Sequence, residues 1–194
     1  MLAAALRTCA AEIDTRTGHP DRARSALISA RRLLRDSPNV FLEGNAAIAG
    51  LCLSLSCCDW NSAIEEGLRA LRCAGESGNL RTELAARLNL GQVNLNQGRL
   101  DDAGRHLDEA LRLCPRGGNA EIGVLDALAQ ASLARGDIGQ CEDWLRRIDV
   151  VLATHDLPAA YNRYWGLRTK LSLLGRVGRW HEAADLVTQI GTSI

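Results

Sequence analysis

The chain has 194 residues, of which 46% are hydrophobic, so it can bury a substantial core and is not expected to be disordered. Its 23 Lys and Arg residues balance 23 Asp and Glu residues, so no net charge favours direct binding to nucleic acid or to a membrane surface. The most apolar stretch, residues 46–58, is about half of the roughly 20 residues that a membrane-spanning helix needs.

The cysteines and the N-terminus indicate the compartment. The seven cysteines are an odd number without a CxxC spacing, and the first residues lack the basic and apolar pattern of a signal peptide. We therefore expect a cytoplasmic protein whose thiols are reduced. Because they fall mostly in apolar helical patterns, we predict that they pack in the core: Cys9, Cys52, Cys57, Cys58, Cys73, Cys114 and Cys141.

Five segments of the chain share one layout. In chain order they are TGHPDRARSALISA (17–30), CCDWNSAIEEGLRA (57–70), QGRLDDAGRHLDEA (97–110), RGDIGQCEDWLRRI (135–148) and VGRWHEAADLVTQI (177–190). Their predicted turn positions are Gly18, Cys58, Gly98, Gly136 and Gly178. These positions recur with a period of about 40 residues, which is typical of stacked repeats.

The apolar residues of each repeat recur at i, i+3 and i+4, which predicts two amphipathic helices joined by a tight turn and ten helices in all. The second helices should begin near Pro20, Asp59, Asp101 and Asp137, since Pro and acidic residues favour a first helical turn. Five residues after each turn stands a small residue that permits close helix packing: Ala23, Ala63, Ala103, Cys141 and Ala183.

One repeat resembles a known family. Residues 84–117 contain Leu90-Gly91, Ala103, Leu107, Ala110 and Pro115 at the intervals of a tetratricopeptide repeat (TPR), while Arg87, Asn94 and Leu107 replace its Trp, Tyr and Phe. The resemblance implies an all-α fold, a right-handed α-solenoid of about five antiparallel helix-turn-helix repeats. The long period resembles that of arrays in bacterial regulators of the MalT type and in kinesin light chains.

We expect one domain over residues 1–194, with repeats near residues 1–38, 39–78, 79–117, 118–156 and 157–194. No polar capping helix follows Gln189 and Ile190, so the array is expected to belong to a larger protein.

The resemblance also implies that the first helix of each repeat lines a concave groove. Asn89, Gln92 and Asn96 are spaced to share one helical face, and Gln130 repeats Gln92 one period later. Amides suit an extended peptide, which offers both donors and acceptors. The candidate partner-binding residues are Asn45, Asn89, Gln92, Asn96, Asp126, Gln130, Arg168, Ser172 and Arg176, with Glu12 and Arg16 at the other end of the array.

Other interpretations of these residues stay open. A polar helical face can simply be solvated, and Asp126 can pair with Arg168 across adjacent repeats. Trp165 can stack on a ligand, although packing is the more common role of such an aromatic residue. Both interpretations are compatible with the sequence.

Nothing in the sequence predicts catalysis. The four histidines stand apart, with His106 and His155 expected among solvated residues, and neither a zinc-ligand spacing nor a phosphate loop occurs. We predict a protein without catalytic activity, cofactor or metal, which binds a protein or peptide segment or a small effector as the sensor or interaction part of a larger bacterial regulatory protein. The alternative is a structural scaffold that self-associates as a homo-oligomer through the apolar faces of its terminal repeats.

Overall fold

The fold, given by a computed structural model, is all-α: the described residues form ten helices and no strand. The structure describes residues 1–154 and 161–191, apart from the side chains of residues 161–163, 165 and 189–191. The helices are α1 (Leu2–Arg16), α2 (Pro20–Asp36), α3 (Val40–Ser56), α4 (Trp60–Ser77), α5 (Leu80–Asn96), α6 (Leu100–Leu113), α7 (Asn119–Arg135), α8 (Ile138–Thr154), α9 (Tyr161–Arg176) and α10 (Trp180–Gly191). The predicted all-α class and helix number are confirmed.

All five predicted turn positions adopt the left-handed backbone conformation. Their φ angles are 78° at Gly18, 56° at Cys58, 73° at Gly98, 83° at Gly136 and 76° at Gly178. Glycine reaches this region without strain because it has no Cβ, whereas a side chain makes it unfavourable. Cys58 therefore strains the turn between α3 and α4, which the other four repeats build with glycine.

The second helices begin as the sequence predicts. Pro20 is the first residue of α2, where the missing N–H of proline removes no helical hydrogen bond. The backbone N–H of Ser62 donates to Asp59 Oδ1 over 3.2 Å, and that of Gln140 donates to Asp137 Oδ1 over 3.0 Å. These carboxylates satisfy helix N–H groups that have no partner in the helix itself.

Small residues bring the two helices of each hairpin together. Ala23, Ala63, Ala103 and Cys141 are fully buried, and Ala183 is half-buried. On the facing helix, a Cβ at Gly91 would lie 2.6 Å from Leu107 Cδ2, closer than two carbon atoms approach. The Leu-Gly pair of the repeat pattern therefore makes room for the leucine of the second helix.

Two compact units make up the chain, Met1–Leu113 with α1 to α6 and Cys114–Ile194 with α7 to α10. We call them unit 1 and unit 2. Each consists of antiparallel hairpins whose helices also contact the next hairpin of the same unit. A single domain over residues 1–194 stays a prediction.

The prediction that the cysteines pack in the core is wrong for three of them. Cys73 and Cys141 are buried and Cys52 and Cys114 are half-buried, but Cys9, Cys57 and Cys58 are exposed. Cys57 and Cys58 belong to the turn after α3, and Cys9 lies on a face of α1 that no other described helix covers. All seven are free thiols.

Candidate functional site

The first helices of the hairpins line the inner side of the stack within each unit. In unit 1, α1 contacts α3 and α3 contacts α5, and in unit 2 α7 contacts α9. Among the described residues no such backbone contact joins α2 to α4, α4 to α6, or α8 to α10. Because the first helices are closer together than the second helices, each unit curves around them. All nine candidate binding residues lie on first helices.

In unit 1 the structure brings the α5 amides together. Gln92 Nε2 donates to Asn96 Oδ1 over 3.2 Å, and Asn96 is exposed. Asn89, which is half-buried, donates instead to the carbonyl of Ala85 over 2.8 Å on its own helix. Gln92 and Asn96 thus form an accessible amide pair, while Asn89 is tied to its helix backbone.

Asn45 is part of a contact between neighbouring first helices. Its Oδ1 atom accepts a hydrogen bond of 3.2 Å from the hydroxyl of Thr82, which is buried on α5. The amide of Asn79 donates to the same hydroxyl over 2.7 Å. This network joins α3 to the start of α5, so Asn45 has a structural role whether or not it also contacts a ligand.

The three first helices of unit 1, α1, α3 and α5, each carry a residue at an equivalent position on the inner side. Glu12, Cys52 and Gln92 stand one period apart, each at the same distance in sequence before its turn. Burial, followed by the negative charge of Glu12, raises the pKa of Cys52 to about 11, while the positive charge of Arg16 opposes the rise. Cys52 is therefore a protonated thiol beside the two charged residues that the sequence places at this end of the array. The sequence interpretation missed this electrostatic interaction, although the repeat period places Glu12 and Cys52 at equivalent positions.

In unit 2 the candidate residue Asp126 is buried, with 4% of its surface exposed. The hydroxyl of Thr169 donates to Asp126 Oδ1 over 2.6 Å, and Gln130 Nε2 donates to Oδ2 over 2.8 Å. Burial raises the pKa of the Asp126 carboxyl, and these two hydrogen bonds and the charge of Arg168 partly offset the rise. The carboxylate joins α7 to α9 and orients Gln130, which is half-buried.

The remaining candidates, Arg168, Ser172 and Arg176, are exposed on α9. The hydroxyl of Ser172 donates to the carbonyl of Arg168 over 3.1 Å, and Arg176 Nη1 donates to the carbonyl of Leu133 over 3.0 Å. Arg176 thus secures the end of α7 against α9. The partner of Asp126 that sequence reasoning missed is Thr169, which is 2% exposed and follows Arg168 directly.

Two residues considered in the sequence lie outside the described part of the structure: the Trp165 side chain and His155. His106 is half-buried, so its predicted solvated position is wrong. Burial, followed by the nearby charge of Arg87, lowers the pKa of its imidazole. The described residues contain no cluster of three His, Cys, Asp or Glu side chains that could hold a metal ion.

Known structures share this fold. A TPR-like repeat protein from Podosopora anserina, assigned to the kinesin light chains, is 14% identical, with a TM-score of 0.65 over 96% of this chain and 92% of that one. A variant of that protein with one substitution gives a TM-score of 0.67 at the same identity and coverage. The predicted TPR-like solenoid class is therefore confirmed.

Comparisons of the sequence alone do not assign the chain to a family. No protein family matches the chain, and no curated protein matches it either. In the part that the structure describes, every helix is too short or too polar to cross a membrane.

Proposed function

We propose that this protein is a non-catalytic interaction module that binds an extended protein or peptide segment on the inner side of its first helices. The TPR-like fold supports a protein-interaction role, since such folds are typically protein-binding scaffolds. The observation that carries the proposal is the accessible Gln92–Asn96 amide pair on the inner side of unit 1. Peptide N–H and C=O groups need both a donor and an acceptor, and an amide supplies both.

The surroundings of the amide pair suit a peptide side chain as well. Ile48 and Leu88 are half-buried at equivalent positions of α3 and α5, one helical turn before Cys52 and Gln92. A polar edge beside partly exposed aliphatic groups can bind a backbone and an apolar side chain together. In unit 2, Gln130 and the exposed Arg168, Ser172 and Arg176 form the corresponding surface, with Asp126 orienting Gln130.

The wider role is a proposal based on the sequence resemblance. We propose that the module is the sensor or interaction part of a larger bacterial regulatory protein, similar to the MalT type, and that it acts in the cytoplasm. A small effector is the alternative ligand for the same surface. We expect no cofactor and no direct contact with nucleic acid or membrane.

Selection of random peptides displayed on phage, using the full chain as bait, tests the groove. Peptides that bind the wild type should bind the Gln92→Ala/Asn96→Ala variant more than about tenfold more weakly, because their backbone loses its hydrogen-bond partners. Fluorescence anisotropy with labelled peptides measures the dissociation constants.

The matched control is Asn61→Ala/Gln140→Ala, which removes one exposed amide from α4 and one from α8. Both helices are second helices, so this variant should bind the peptides like the wild type. Circular dichroism checks that both variants remain folded. Equal binding by the two variants, or failure to select any peptide, would overturn the proposal.

A further inference from the structure

A groove of about 250 Å³ lies between α2 and α4 of unit 1, over α3, which contacts both of these helices. Its apolar lining consists of Leu34 and Ala46, which are buried, and of Pro38 in the loop between α2 and α3. Charged side chains supply the rest of the lining: Arg31, Arg35, Glu43 and Arg69. We call this the arginine groove.

One of the three arginines is paired within the chain. Arg31 Nη2 donates to Glu66 Oε1 over 2.6 Å, and this ion pair joins α2 to α4. Gly50 of α3 leaves room for the pair, since a Cβ at this position would lie 2.8 Å from Arg31 Nη2. The charge of Arg31 is therefore offset, and the pair holds the two walls of the groove together.

The other charged groups of the groove have no such partner. Among the described residues, the guanidinium groups of Arg35 and Arg69 and the carboxylate of Glu43 make no hydrogen bond or ion pair. Two positive charges thus share the groove with one negative charge, which leaves one positive charge in excess. A single carboxylate would balance it, and guanidinium groups bind carboxylates through paired hydrogen bonds.

The next repeat shows that helix packing does not require these arginines. Between α4 and α6 the apolar positions recur, with the buried Ala74 and Ala86 one period after Leu34 and Ala46. One period after the three arginines stand a leucine, a glycine and a glutamate: Leu71, Gly75 and Glu109. The same packing forms there without positive charge, so the arginines of the first groove are explained better by a ligand.

We propose that the arginine groove binds an acidic side chain of a partner protein, with the carboxylate at Arg35 and Arg69 and the methylene groups against Leu34 and Ala46. The volume favours a single side chain, because pockets for whole small molecules are larger, at roughly 300–1,000 Å³. The charge favours a carboxylate over a phosphoryl group, whose second negative charge would be opposed by Glu43. The groove lies between second helices, so this site is independent of the peptide binding proposed above.

Nuclear magnetic resonance titrations of the full chain test the site, with the methyl signals of Leu34 and Ala46 as the readout. The probe is a pentapeptide with both ends blocked, glutamate at its centre and alanine elsewhere. It should shift both signals in a saturable manner, with a dissociation constant of about 1–10 mM, as expected for one charged contact. The same peptide with glutamine at its centre should bind at least about tenfold more weakly.

Arg35→Gln/Arg69→Gln removes both guanidinium groups of the proposed site and should weaken binding of the glutamate peptide at least about tenfold. The matched control, Arg32→Gln/Arg72→Gln, removes the same charge from exposed positions of α2 and α4 outside the groove and should bind like the wild type. Glu43→Gln removes the opposing carboxylate and should tighten binding by about two- to fivefold. Circular dichroism verifies that each variant remains folded.

The proposal would be overturned if the glutamate peptide gave no saturable shift, or if the glutamine peptide bound equally well. Equal effects of the test and control variants, or weaker binding by Glu43→Gln than by the wild type, would overturn it too. Two further probes separate other ligands. Acetate that binds as tightly as the glutamate peptide would indicate a site for free carboxylates, and tighter binding of a phosphoserine peptide would indicate a phosphoryl site. Either result would refute the assignment to an acidic side chain.

Discussion

Asp126 shows at the scale of a single residue how burial changes the role of a polar side chain. Its carboxylate accepts hydrogen bonds from Thr169 and Gln130, and burial raises its pKa. A raised pKa means that ionisation is less favourable in the folded chain than in the unfolded chain. The stability contributed by this group is therefore greatest below its unfolded pKa of about 3.8, and it falls as the pH rises through the folded pKa.

Asp126→Asn should have an unfolding free energy at neutral pH equal to or above that of the wild type. Asparagine still accepts from Thr169, and its amide can donate to Gln130 once that side chain rotates its own amide. The difference in unfolding free energy between Asp126→Asn and the wild type should shrink as the pH is lowered to about 4, because the wild-type carboxyl gains protons there. Urea unfolding at several pH values measures the difference.

Asp126→Ala is the comparison, because it leaves the buried Thr169 hydroxyl without its acceptor and should destabilise the fold by about 1–3 kcal/mol. Equal destabilisation by Asn and Ala would show that the negative charge itself is needed, as an ion pair with Arg168 requires.

At the scale of elements, the hairpin turn decides how two helices meet. Each of the five turns needs a residue with positive φ, and the chain supplies glycine at four of them. The exception, Cys58, has φ 56° and is exposed, so its side chain brings no burial that would offset the strain. The repeat thus identifies a turn that is less favourable than its equivalents.

Cys58→Gly should raise the unfolding free energy by up to about 1 kcal/mol, because glycine adopts this conformation without a Cβ clash. The neighbouring substitution Cys57→Gly is the control: at φ −93° it relieves no strain and should lower stability by about 0.5–1 kcal/mol. Chemical denaturation of both variants under reducing conditions gives the two values. A loss of stability in Cys58→Gly would contradict the strain argument.

At the scale of the whole molecule, stability should vary along the array, because each helix of a repeat protein is stabilised mainly by its neighbours. Helix α1 buries three residues, whereas α5 buries seven and α7 buries ten. One side of α1 carries the exposed side chains of Leu2, Leu6, Cys9 and Ile13, so fewer contacts oppose the local unfolding of this helix.

In hydrogen exchange followed by mass spectrometry, the amides of α5 and α7 should exchange at least about tenfold more slowly than those of α1. The chain should be dilute enough to stay monomeric, since packing between copies would protect α1. The Leu6→Glu/Ile13→Glu variant, whose two charges on the exposed side of α1 oppose such packing, serves as the reference. Equal protection of α1 and α5 in this variant would show that unit 1 opens only as a whole.

The sequence alone determined the features that depend on local spacing. The turns at Gly18, Gly98, Gly136 and Gly178 and the small residue five positions later follow from repetition, because a hairpin can close in only a few ways. The same spacing placed Gln92 beside Asn96. Only the tertiary structure decided that Asp126 is buried against Thr169 and that Asn45 joins α3 to α5, since these contacts bridge helices of different repeats. The tertiary structure also decided that Cys9 is exposed. The burial of a helical face depends on which helix packs against it, and the apolar pattern of a single helix does not specify that neighbour.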